Sequence, residues 1–213
     1  MFNVLFEDEN LIVLIKPVGV SSEEGMISLL REYLGDINHY VGVIHRLDTV
    51  VSGIMVYAKT KPTAAALSTQ IQNGTFIKKY LAVVAGKPES ECGQYDDLLF
   101  KDSTKNKSFV VKKERKGVKK ASLSYNVLGE YQLDNGDISL VKIQLHTGRT
   151  HQIRVQFSSR KMPLLGDKKY GSRIDCPIAL FSHSLTFTHP ETKEEMCFTA
   201  LPEKTFPFNK FEI

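Results

Sequence analysis

The stretch VIHRLDTVVSGIMVYAK, residues 43–59, decides how this chain is read. A charged cluster, His45-Arg46-Leu47-Asp48, leads through Ser52-Gly53 into the apolar run Ile54 to Ala58. The run reads as a buried strand. Asp48 is a carboxylate set among polar groups just ahead of it. It is either a hydrogen-bonded loop aspartate or a nucleophile displayed at the edge of a sheet.

Working outward, Leu11 to Ile15 is a second apolar run, ended by Lys16-Pro17, and reads as a strand. Gly25 to Leu34 carries a helical apolar face closed by Gly35. A further helix is expected after Thr60, which can cap it, with Pro62 in its first turn and Asn73-Gly74 at its end. Lys79 to Ala85 is short, apolar and partly β-branched, as strands are. Ser122 to Leu128 and Ile138 to Leu145 flank Asp134-Asn135-Gly136-Asp137, a hairpin signal. Thr150 to Ser158 reads as helix, with Ile153, Gln156 and Phe157 inward. Phe181 to Phe187 and Glu195 to Thr199 flank His189-Pro190-Glu191-Thr192, a second hairpin. Hairpins outnumber β-helix-β units. The expected fold is therefore α+β, built on a large mixed, mostly antiparallel sheet with flanking helices.

The bulk composition is that of a globular protein: 213 residues, 42% hydrophobic and 24% charged. No apolar run approaches the ~20 residues of a membrane span, and no membrane partner is expected. The acidic N-terminus does not resemble a secretory signal. Three scattered cysteines, Cys92, Cys176 and Cys197, outline neither a disulfide framework nor a zinc site. A reducing cytoplasm fits them. No long heptad is present, and a monomer is the default.

Charge is unevenly spread. Lys101 to Lys120 holds nine basic residues against two acids, an excess of +7. The chain total is +4, so the remainder carries 4 − 7 = −3. The stretch is either a solvated basic hairpin or loop, or a contact for a nucleic-acid backbone.

Four polar-rich segments punctuate the scaffold: His45 to Asp48, Lys78-Lys79-Tyr80, His146 to Arg154, and Gly166 to Gly171. The third is expected to open a helix, whose N-terminus favours a carboxylate or phosphate. There Arg149 either forms a structural salt bridge or holds a distant aspartate ionised. His45, Asp48, His146 and His151 match no strong metal-ligand spacing, and Arg46, Arg149 and Arg154 among them would repel a cation. Ser52 lacks a nucleophile elbow, and no phosphate-binding glycine loop is present. Neither a metal nor a nucleotide cofactor is expected.

Taken in order, these segments resemble those of the RluA/RluD-type RNA pseudouridine synthases. Asp8 to Val13 and Lys16-Pro17-Val18-Gly19 are similar to that family's opening block. His45-Arg46-Leu47-Asp48 with Ser52-Gly53 is similar to its signature HRLDxxtSG. Lys78 to Gly86, His146 to Val155, Pro163 to Gly171, and Phe181 to Pro190 resemble the later blocks. Departures are Val51 in place of the usual Thr, Ser182 and Ser184 around His183, Gln156 for a common His, and no His-Pro after Lys16-Pro17. Few residues precede the first block, so the N-terminal accessory RNA-binding domain of many relatives is expected to be absent.

The resemblance implies a pseudouridine synthase fold with an active-site cleft and one catalytic domain over residues 1–213. It implies isomerisation of uridine in ribosomal or transfer RNA, without a cofactor. Asp48 matches the catalytic aspartate, acting as a nucleophile on ribose or base, or through a glycal-type intermediate. Tyr80 matches the active-site tyrosine and Arg149 the basic partner of the aspartate. The target uridine is expected to be flipped out. Arg46 would fill the gap it leaves, or else form a salt bridge beside the loop. Lys79, Lys112, Lys113, Lys116 and Arg154 are the further expected RNA contacts. Two other readings compete: a non-catalytic RNA-binding protein, and a hydrolase pairing Asp48 with His45.

Overall fold

The computed structural model describes residues 2–134 and 136–213. In chain order the elements are β1 (Asn3–Glu7), β2 (Leu11–Lys16), α1 (Glu24–Tyr33), β3 (Gly42–Val43), β4 (Ser52–Ala58), α2 (Lys61–Asn73), β5 (Ile77–Ala85), β6 (Cys92–Asp102), β7 (Lys107–Val111), β8 (Val118–Leu133), β9 (Gly136–Leu145), α3 (Gln152–Ser159), β10 (Leu180–Thr188) and β11 (Glu195–Thr199). Two compact units result, one of residues 1–78 with 181–202, the other of 79–180 with 203–213.

In the first unit the strand order is β1-β2-β4-β10, with β3 paired to β4 and β11 to β10. All pairings are antiparallel except β4 with β10. Leu11, Val13, Ile54, Val56, Leu67, Phe76, Leu185 and Phe187 form its core. The sequence signals for α2 act as expected. The Thr60 hydroxyl accepts the Thr63 amide, Pro62 sits in the first turn, and Gly74 closes the helix in the left-handed conformation. His189 joins the two ends of the unit's sequence. Its Nε2 lies 2.8 Å from Asp8 Oδ2, while Nδ1 accepts the Glu191 and Thr192 amides. Asp8 Oδ1 in turn accepts the Asn10 and Leu11 amides at the entry to β2.

In the second unit the order is β5-β9-β8-β6-β7. The β8–β9 hairpin forms around the expected turn, although it is longer than its apolar alternation suggested; Asn135 of that turn lies outside the described residues. Helix α3 packs against β6 and β7. Leu99, Ala121, Val155 and Tyr170 form a core there, and Tyr95, Tyr125 and Phe157 meet as an aromatic trio with centroids 4.9–5.9 Å apart. The basic stretch is ordered into β6, β7 and the start of β8. Of its two expected forms, a hairpin is realised by β6 and β7.

The Ser-Gly of the deciding stretch has a packing reason. Ser52 and Gly53 pair in parallel with Phe181 and Ser182. Gly53 has φ +129°, and a Cβ there would lie 2.4 Å from the Ser182 backbone. Only glycine permits that approach. Ser182, a departure from the family pattern, fills its place by donating to the Ile54 carbonyl at 2.9 Å. Gly53→Ala is expected to destabilise the protein by on the order of 3 kcal/mol, through combined overpacking and backbone strain. Urea unfolding measures it; a midpoint matching the parent's would refute the packing argument.

Candidate active site

The loop carrying Asp48 is pinned on both sides. The Ser22 hydroxyl donates to the Leu47 carbonyl at 2.7 Å and accepts the Leu47 amide at 2.9 Å. The Val51 amide donates to the Asp48 carbonyl at 2.9 Å, so residues 48–51 make a turn directly into β4. Val51 uses its backbone for this and buries its side chain, so the usual Thr hydroxyl is not required to close the turn. The Gly19 amide donates to the Thr49 carbonyl at 2.8 Å, tying the Lys16-Pro17-Val18-Gly19 segment to the same turn. Asp48 itself is half-buried.

Lys16 sits beneath this turn. It ends β2, is fully buried, and its Nζ donates to the carbonyls of Pro17 (2.7 Å) and Val20 (2.8 Å), with Thr49 O at 3.5 Å. Burial lowers its pKa to about 8, against the opposing pull of the Asp48 carboxylate. His45 is buried too. Its Nε2 accepts the Val56 amide at 3.4 Å, its ring lies 5.6 Å from Phe76, and burial with the nearby Lys78 charge lowers its pKa to about 3. His45 is a buried prop under the loop, its Nε2 lone pair engaged by the Val56 amide. Arg46 is exposed and lies 3.3 Å from Glu23, an exposed pair of small energetic weight.

In the second unit, Tyr80 is buried in β5 and Lys79 is half-buried beside it. Arg149 precedes α3 instead of opening it: the helix begins at Gln152, after His151 at φ +54°. The Gln152 side chain causes this. Its Oε1 accepts both the Arg149 amide (3.0 Å) and the Thr147 hydroxyl (2.8 Å), and its Nε2 donates to the Ser122 carbonyl. The Thr147 hydroxyl also accepts the Ser122 amide. Thus clamped to β8, the turn aims the Arg149 Nε at the Lys120 carbonyl, 2.9 Å away.

Arg154 differs from expectation. It is only 6% exposed and forks onto Asp167 at 2.7 and 2.8 Å, with its guanidinium 5.1 Å from the centre of the Tyr170 ring. A buried bidentate pair of this kind is a structural strut. Its ion pair is with a protein carboxylate, where a phosphate contact was expected. Lys112, Lys113 and Lys116 are exposed on the connection from β7 to β8. Among the described residues no group of three His, Cys, Asp or Glu side chains is placed to hold a metal.

The family model for RNA pseudouridylate synthase matches residues 10–159. The chain belongs to the RNA pseudouridylate synthase family. An RNA pseudouridine synthase of Aquifex aeolicus is 33% identical over 96% of this chain and 70% of its own length. The ribosomal large subunit pseudouridine synthase D of Borreliella burgdorferi is 34% identical over 81% of this chain and 55% of its own. The solved structure of human RNA Pseudouridylate Synthase Domain Containing 1 superposes with a TM-score of 0.80 over 97% of this chain and 85% of that one, at 22% identity, a likeness of fold. The α+β pseudouridine synthase fold and an isomerase acting on uridine in RNA are thereby established.

Within this synthase, sequence reasoning missed Lys16, Gln152 and Thr147. Lys16 had a signal: a lysine ending an unbroken apolar strand must find partners or lose its charge. Thr147 and Gln152 had none, because their clamp is to Ser122, distant in sequence. The sign of the Lys16 effect follows from its lowered pKa. Between about 8 and the ordinary 10.5 the unfolded chain binds the extra proton, so this residue makes stability rise with pH across that window. Its charge beside Asp48 changes in the opposite sense, being present below about 8 and lost above. Single-turnover uridine conversion should therefore show an alkaline limb near pH 8 that Lys16→Met abolishes. An unchanged profile in that variant would show that the ammonium does not act on Asp48.

Proposed function

We propose that residues 1–213 act as one catalytic domain that isomerises specific uridines in structured RNA, with Asp48 as the nucleophile. The family match running from residue 10 to residue 159 draws on both compact units, which supports a single working domain. The observation that carries the proposal is the setting of Asp48. It is a half-buried carboxylate on a turn braced by Ser22, Gly19 and Val51, with a buried ammonium as its electrostatic neighbour.

The chemistry asks for little more. The bond from ribose C1′ to uracil N1 breaks, the base turns, and C1′ bonds to C5. The proton leaving C5 is balanced by one gained at N1, so the change is redox-neutral. Asp48 assists the first cleavage. Tyr80 offers its ring to the base and its hydroxyl to a proton. Arg149 is the residue assigned to supply positive charge in the reaction. The uridine reaches them by leaving its stack, and Arg46, exposed and only loosely held by Glu23, is free to occupy the gap.

Ribosomal RNA is the favoured substrate over transfer RNA, since several relatives bear the name ribosomal large subunit pseudouridine synthase. Lys79, Lys112, Lys113 and Lys116 contact phosphates in this reading, and Arg154 contributes by positioning α3. The protein works as a monomer in the cytoplasm, with which its free cysteines, two of them exposed, are consistent.

Asp48→Asn is expected to lower uridine conversion by at least about a thousandfold while RNA binding persists. Carbodiimide mapping of RNA incubated with parent and variant measures this and locates the site. Conversion by the variant would end the nucleophile assignment. Binding by the parent without conversion would favour the RNA-binding module. Reversing Lys112, Lys113 and Lys116 to Glu should weaken RNA binding across sequences and flatten its salt dependence. An unaltered slope of log affinity against log salt would make that segment a solvated loop.

A further inference from the structure

Strands β7 and β8 both pair antiparallel with β6, which lies between them. The chain between Val111 and Val118 must therefore cross β6. Leu99 and its partner Val110 belong to the core on the α3 side of the sheet. The alternation of strand side chains then turns Leu98 and Phe100 to the opposite face, with their cross-strand partners Val118 and Lys120. The crossing segment lies on that face, because the Arg115 guanidinium stacks 4.7 Å from the Phe100 ring centre.

Beneath it is an open concavity of about 460 Å³, lined by Leu98, Glu114, Arg115, Val118 and Lys120. It is a dish open to solvent, not an enclosed cavity. Its chemistry is mixed in a specific way. Leu98 and Val118 give an apolar floor, Arg115 a flat cation that stacks on aromatic rings, and Lys120 a phosphate partner. Glu114 is the anomaly, a carboxylate inside the most basic stretch of the chain. It repels a nucleic-acid backbone but accepts hydrogen bonds from the donor edge of a base. Its present partner is Lys120 at 3.5 Å, with both side chains largely exposed, a pair easily exchanged. Lys120 also offers the carbonyl that holds Arg149, so the concavity adjoins a residue of the proposed active site.

We propose that this concavity takes an unstacked guanine of the substrate RNA, a site that rests on the RNA-modifying function above. The base lies on Leu98 and Val118 against Arg115. Its N1–H and N2–H donate to the two Glu114 oxygens, and its phosphate meets the Lys120 ammonium released from Glu114. Guanine is the base that presents two adjacent donors to a carboxylate. Adenine and uracil do not, and cytosine offers a single amino group.

The test is fluorescence anisotropy with short labelled single strands of uridine carrying one internal guanosine, adenosine or cytidine, or none. The guanosine strand should bind the parent about tenfold more tightly than the others, and Glu114→Gln should abolish that advantage, with the other strands bound as tightly as before or more so because a repelling carboxylate is gone. Glu114 is exposed, and an unchanged thermal melt of the variant would exclude a folding defect. Equal binding of all strands, a preference for another base, or a guanosine preference surviving in Glu114→Gln would overturn the site. Conversion of uridine in cellular RNA by the parent, mapped in parallel, reports on the isomerase function separately. Conversion without guanosine preference sinks the site alone, and no conversion sinks the function beneath it.

Discussion

A buried ammonium organises the first unit. Lys16 ends β2 with no exposed surface, and an unpartnered charge there would cost several kcal/mol. The fold supplies partners by bending the next residues back, so that the carbonyls of Pro17 and Val20 face Nζ. Pro17 suits that bend because its backbone is already restricted. The return brings Gly19 against Thr49, and with it the turn that holds Asp48. Solvating one lysine thus fixes the loop that presents the carboxylate. Ser52 adds to the same junction by donating to the Lys16 carbonyl at 2.8 Å. The Lys-Pro-Val-Gly and His-Arg-Leu-Asp segments are one structure for this reason.

The second unit solves a similar problem with neutral groups. A turn ahead of a short helix has amides that need acceptors. The Gln152 Oε1 takes the Arg149 amide, and that side chain is held to Ser122 on β8 both directly, through its Nε2, and through the Thr147 hydroxyl. The arrangement fixes the backbone on both sides of Gly148 and leaves the Arg149 side chain to be aimed by a single carbonyl. Farther along, Arg154 and Asp167 hold α3 to the segment that follows it. Tyr170 joins them: its hydroxyl accepts the Ser108 amide and lies 2.9 Å from His151. The His151 backbone, left-handed without being glycine, is held by these contacts.

Legibility in the sequence followed the range of the interactions. The caps of α2, the apolar runs of β2 and β4, and the flanks of both hairpins were readable, because each depends on residues within one turn or one alternation. The start of α3 was misplaced by two residues, because the Gln152 side chain takes the Arg149 amide and delays the helix. The family resemblance sets Arg154 among the nucleic-acid contacts. Its partner lies 13 residues away, and no local pattern announces a bidentate pair. Motif order identified Asp48, Tyr80 and Arg149 as candidates. It did not show that their neighbours Lys16 and Gln152 are what hold the surroundings of two of them rigid.

The two kinds of positive charge in this chain must differ in physical task. Lys16 and Arg154 are buried and fully partnered, so their charges are screened little and act over short distances on fixed groups. Lys112, Lys113 and Lys116 are exposed, so salt screens them and they act as a diffuse field that gathers a polyanion without choosing its sequence. Choice has to come from groups with direction. On the face beyond β6 those are the Arg115 plane and the Glu114 carboxylate. An acid placed within such a field weakens non-specific attraction at that point. In the proposed site that loss is offset, because Glu114 meets a base edge there and not a phosphate.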